Sequence, residues 1–332
     1  MSRRRSYVML AIKLAVGGAL IAWLLHSGTL DFAALSLFFE RPSLLVANLA
    51  VFAVTTVLGG LRWRLLLRLA GVNLPVGRAL QLAFTAVFFN VVVPGNIGGD
   101  VLKSIYVARE LAPEKRAGVY AIAFLDRLIA LAGLVAVAAV LTLARGRIAW
   151  EEPKVRELTL AIGVLVLGTF GAPIMLLMFL RRSKRIDSWT DGPSLVARIL
   201  KQLVAAGRLI ASGPRSLAIA LGLAIVTHLA GIVLFAALAT AIIAHDVSIT
   251  SLASVYPLGM LSMVLPISYA GFGVGHVAFD QLFAMIGLTG GATVLNVYLI
   301  GQTVPCLVGV VPYLTLKREA PLPTESELEV PR

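Results

Sequence analysis

Two short constellations put charge into an otherwise apolar chain: Asp100 with Lys103, and Asp126 beside Arg127. Residues three apart share a helix face, so Asp100 and Lys103 can pair, or Lys103 with Arg109 can hold a lipid phosphate. Adjacent residues diverge around a helix, so Asp126 and Arg127 each need a partner from another element. Asp126 is expected to take Lys103 or Arg62, which leaves Arg127 to face a phosphate. Buried charges in a membrane helix cost several kcal/mol unless paired or wet, so these residues read as a site or as a structural pair.

The residues before Asp100 explain how such a site could be built. Asn90 leads into Pro94-Gly95 and Gly98-Gly99. Proline removes a backbone donor and breaks the helix, and glycines let the backbone turn and come close to a ligand. A helix restarting after Gly98-Gly99 offers its N–H groups to an anion. Asp100 is the competing cap for that helix. A second string, from Ser262 through Pro266, Ser268, Gly271 and Gly273 to His276, repeats the pattern of polar residue, proline and small-residue pair. His276 and Asp280 are four apart and share a face, which opens a proton-linked reading. His228 reads as a hydrogen-bonded core histidine, and Trp63 as an anchor at the membrane interface.

Other chemistries lack their residues. Cys306 is the single cysteine, no histidine pair has metalloprotease spacing, and no ATP-binding motif is present. No cofactor and no metal are expected. The formal charge of +12 comes from basic residues in short segments between apolar blocks, which points to membrane topology and anionic head groups rather than to nucleic acid.

The elements that position these residues are membrane helices. Of 332 residues 59% are hydrophobic and 14% charged, and the mean hydropathy is +0.92. The apolar residues run in blocks near the roughly 20 residues a spanning helix needs. The expected fold class is all-α: a polytopic integral membrane protein with about six full spans, near 8–25, 43–60, 117–143, 158–180, 216–243 and 292–316. The Arg-rich stretch 61–78 is expected as a loop. The blocks 79–111 and 250–287 are broken by proline and glycine and are expected as re-entrant hairpins, with extra spans as the alternative. The insertion 181–215 has apolar residues near helical spacing and is expected on the membrane surface. The tail 317–332 is polar and is expected to be disordered.

Arg3, Arg4 and Arg5 place the N-terminus inside, and Lys317-Arg318 place the C-terminus there too. The two hairpins then enter from opposite faces. The result is one transmembrane domain, 1–316, made of inverted halves 1–145 and 156–316. Paired breaks in inverted halves point to a transport site near the midplane.

The string from Asn90 through Pro94-Gly95 and Gly98-Gly99-Asp100 to Lys103, with Arg62-Trp63, Asp126-Arg127 and Pro266 to Gly273, resembles the membrane region of lysylphosphatidylglycerol synthase/flippase proteins. The resemblance implies a bacterial cytoplasmic membrane protein that moves a polar or phosphate-bearing lipid between leaflets. Its partners would be membrane phospholipids or lipid-linked substrates. It implies a stand-alone member without the soluble synthase domain, and so no enzyme activity by inheritance. His276 departs from the family, which commonly has Glu there. Two other readings stay open: a membrane-embedded transferase acting on lipid-linked phosphate, and a non-transporting partner in an envelope-lipid assembly.

Overall fold

The computed structural model describes residues 32–92, 98–144, 153–171, 213–243, 248–263 and 274–319, and these residues form helices and turns with no strand among them. The first expected span (8–25), the surface insertion up to residue 212 and residues 320–332 lie outside the described residues.

In chain order the helices are α1 (Phe32–Glu40), α2 (Pro42–Leu69), α3 (Val76–Val92), α4 (Gly98–Arg109), α5 (Pro113–Ala144), α6 (Pro153–Val166, running into a π turn, Leu167–Gly171), α7 (Pro214–Ile242), α8 (Ile249–Ser262), α9 (Val274–Met285), α10 (Gly291–Cys306) and α11 (Val310–Glu319). A single 3-10 turn, Leu307–Gly309, joins α10 to α11 just after Pro305. Four stretches are long and apolar enough to cross a membrane: Pro42–Ala70, Gly118–Ala144, Pro214–Ile242 and Gly291–Leu316. They match four of the six expected spans. Of the 158–180 block, residues 172–180 lie outside the described residues. The chain is therefore a multi-pass membrane protein.

The largest revision concerns 61–78. The expected loop is mostly helix, because α2 starts with Pro42, whose fixed φ suits a first turn, and continues to Leu69. At 28 residues it is about 42 Å long, more than a bilayer core requires. Arg62, Arg64 and Arg68 ride on this extension, since arginine is a good helix former. The helix stops at Gly71, which takes φ +73°. The Val72 N–H returns to the Leu67 carbonyl and the Gly71 N–H to Arg68, closing the end in a Schellman arrangement. At the other end of the chain, α11 carries residues 317–319 of the expected tail as helix.

Each broken block is a helix pair. α3 packs on α4, and α8 on α9. The first arm of each pair also touches a long helix distant in sequence: α3 meets α10, and α8 meets α5. Between them α2 and α7 share the most extensive helix-to-helix contact in the molecule. A polar clasp joins α2 to α10, where the buried Asn48 amide donates to the Gly301 carbonyl (2.6 Å) and accepts from Gln302 (2.9 Å).

Two cores follow. One gathers Trp63, Leu66, Leu82, Leu102, Tyr106 and Leu125 around α2–α5. The other gathers Phe235, Leu252, Tyr256, Phe279, Phe283 and Tyr298 around α7–α10.

Candidate functional site

The first broken block is held closed by its own backbone. The Gly99 N–H donates to the Asn90 side-chain oxygen (2.8 Å), so the last turn of α3 caps the first turn of α4. This corrects the expectation that Asp100 caps that helix. Gly99 is needed for a second reason: a Cβ there would run into the Ala86 carbonyl of α3. The two arms touch backbone to backbone, which only glycine permits. Gly98 begins α4 beside it.

With its capping role taken over by Asn90, the Asp100 carboxylate turns to side chains. Lys103 Nζ stands 2.8 Å from one oxygen. Arg127 of α5 holds the other oxygen through Nη2 (2.6 Å) and Nε (2.8 Å). Lys103 also lies 3.8 Å from Asp126, and Asp126 accepts from Arg62 Nε at 2.6 Å. The result is an alternating series, Arg62–Asp126–Lys103–Asp100–Arg127, drawn from α2, α4 and α5. Its formal sum is +1, three cations against two carboxylates.

Burial along the series is graded. Arg62, Asp126 and Lys103 are almost wholly enclosed, whereas the Arg127 side chain is 45% exposed. Enclosed charges need partners to offset lost hydration, and here each carboxylate has two. Asp126 does not choose between Lys103 and Arg62 but takes both. Arg127, expected to stand free for a phosphate, is instead occupied by Asp100.

Trp63 corrects another expectation. It is fully buried rather than an interface anchor, and Lys103 sits over its ring at 4.9 Å from the centroid. Such a cation–aromatic contact offsets part of the cost of burying the ammonium. An aromatic near the end of a span has the same sequence signature either way, so only packing separates the two roles. Tyr106, three residues beyond Lys103, is fully enclosed and packs in the same apolar cluster as Trp63.

Arg109 is not brought together with Lys103. Six residues of helix put them about 9 Å apart along the axis and on different faces. A cleft of about 540 Å3 at the α2–α3 turn is lined by Asn73, Arg78, Gln81 and Glu110, and by none of the five charges.

The second broken block carries different residues. Asp280 accepts from the Ala292 N–H (2.7 Å) and so caps α10. His276 is half-buried and faces Asn296. Around them the packing is aromatic: Phe235 meets Tyr256, Phe279 and Tyr298 with ring centroids 5.1–5.7 Å apart, and the two tyrosine hydroxyls bond at 2.9 Å. His228 bonds the Ala130 carbonyl of α5 (2.9 Å), the core role expected of it. The two breaks themselves lie outside the described residues, and with them Pro94, Pro266, Ser268, Gly271 and Gly273.

No curated protein and no solved structure matches the chain. A family model does match, over residues 10–309, taking in every charge of the series and both broken blocks. On that match, the protein belongs to the lysylphosphatidylglycerol synthase TM region family.

Proposed function

We propose that this protein is a flippase-type lipid transporter that carries a polar or phosphate-bearing lipid between the leaflets of a bacterial cytoplasmic membrane. The observation that carries the reading is the graded series of five charges. Its buried end is fixed by paired, enclosed side chains, and its other end presents a half-exposed arginine. A head-group site needs an accessible positive end, and the half-exposed Arg127 supplies it even while paired with Asp100. Membership of a family of membrane proteins associated with lipid handling supports the same reading.

In this reading the two helix pairs are re-entrant hairpins entering from opposite faces, in inverted halves 1–145 and 156–316, with both termini cytoplasmic. The exchange of contacts between halves, α3 with α10 and α8 with α5, supports that arrangement. The head group crosses beside the charged hairpin while the acyl chains stay in lipid. Membrane phospholipids or lipid-linked substrates with anionic head groups are the partners.

The test is purified protein in vesicles with labelled lipids, scored both for leaflet exchange and for new lipid products. Exchange without new product is expected. Lys103→Ala leaves each carboxylate one cation, Arg127 for Asp100 and Arg62 for Asp126, so the protein should fold while exchange slows. A new lipid product would replace transport with transferase chemistry, and neither signal would leave a non-transporting partner.

A further inference from the structure

The Asp100 carboxylate is gripped more firmly than an intrahelical pair requires. Spacing alone accounts for its contact with Lys103. The two N–H bonds from Arg127 come from a different helix and tie the hairpin's second arm to α5. Both Arg127 donors converge on one Asp100 oxygen while Lys103 takes the other, so two cations flank the acidic group, and such charge-assisted contacts are also made to phosphate oxygens. Beneath Lys103 lies a donor without an acceptor. The Trp63 indole N–H is fully enclosed and has no hydrogen-bond partner among the described residues. Unpaired buried donors are rare in folded proteins, and each calls for an explanation.

We propose that Lys103, Arg127 and the Trp63 indole N–H form a binding site for the phosphodiester of a lipid head group, and that Asp100 occupies this site itself in the state seen here. The proposal rests on the lipid-transport reading and names its substrate chemistry and its resting state. A phosphodiester resembles a carboxylate in what Arg127 and Lys103 read between them: one negative charge shared by two oxygens, one for each cation. The series sums to +1, so one such monoanion brings it to zero. As the head group arrives, Asp100 yields Arg127, and of the two charged ties between α4 and α5 only Lys103–Asp126 remains. The Asn90 cap and the Gly99–Ala86 contact still join α4 to α3, so the two arms stay together. Loading of the site and loosening of α4 from α5 are one event.

The experiment measures binding of short-chain phosphatidylglycerol to the purified full chain in detergent, with inorganic phosphate as the second arm. Melting of the ligand-free protein reports folding separately. Asp100→Asn removes the competing charge and should bind the short-chain lipid roughly tenfold tighter, the scale of one charge-assisted contact. Trp63→Phe keeps a ring under Lys103 but loses the N–H, and should bind several-fold more weakly. Lipid binding with little response to phosphate assigns the site to a head group. Comparable binding of both assigns it to the shared phosphate chemistry.

Asp100→Asn binding no tighter than wild type, or Trp63→Phe binding unchanged, would overturn the proposal. If Asp100→Asn does not fold, carbodiimide labelling of the wild-type carboxylates serves instead. Asp100 should become more reactive when the lipid is added, and less reactivity sinks the displacement. Wild-type exchange in vesicles with unaltered binding by Asp100→Asn would remove the resting-state role and leave transport standing. Absent exchange with the binding changes intact would do the reverse.

Discussion

Around α4, five charged side chains pair with one another in series, and around α9 the corresponding space is filled with rings. Both regions are helix pairs that follow a long helix, lean on another long helix distant in sequence and flank a proline–glycine string. They differ in what they can do when they move. The aromatic region is held by direct, short-range packing centred on Phe235, which loses its contacts as soon as the parts separate. The charged region is held by ion pairs, in which, on the proposed reading, an anion of suitable shape takes one partner's place. On that reading two similar scaffolds divide the work: one makes a firm wall, the other a site whose closure a ligand undoes.

That division can be broken or sharpened by substitution. The largest effect is expected at Asp126, whose loss leaves the enclosed Arg62 without its counter-charge. Asp126→Asn should cost about 3–5 kcal/mol, the usual scale for an orphaned buried charge, read as a lowered melting temperature in detergent. A melt close to wild type would mean that the buried end of the series is open to water.

Gly99→Ala should cost about 1–3 kcal/mol by forcing α3 and α4 apart. It should also slow lipid exchange, because the cap from Asn90 and the position of Asp100 depend on that close approach. Normal exchange in a destabilised protein would separate the hairpin's geometry from transport.

The smallest effect belongs to the aromatic side. Tyr256→Phe removes one member of the buried hydroxyl pair and should cost about 1 kcal/mol, as interhelical hydrogen bonds in membranes do. Exchange should be unaffected. A variant that melts normally but fails to exchange lipid would put chemistry into the region taken here as a wall.

The pattern of apolar blocks and the two proline–glycine breaks made the described helices on either side of each break legible, because hydrophobic length and the loss of a backbone donor act locally. The same local reasoning misread 61–78. Arginines there look like a loop when counted by polarity, but Arg62 is buried because its charge is met by Asp126, a residue 64 positions away. Trp63 was misplaced for the same reason, since burial beneath Lys103 depends on how α2 meets α4.

By itself the sequence determined that the chain lies in a membrane as helices, where those helices break, and which few residues carry charge into the apolar interior. It also determined that Asp126 and Arg127 could not serve each other. Only the tertiary structure decided the partners: Asp126 with both Arg62 and Lys103, Arg127 with Asp100, Asn90 as the cap. The physical reason is range. Helix formation and chain breaking depend on neighbours a turn away, whereas charge pairing depends on which helices pack together.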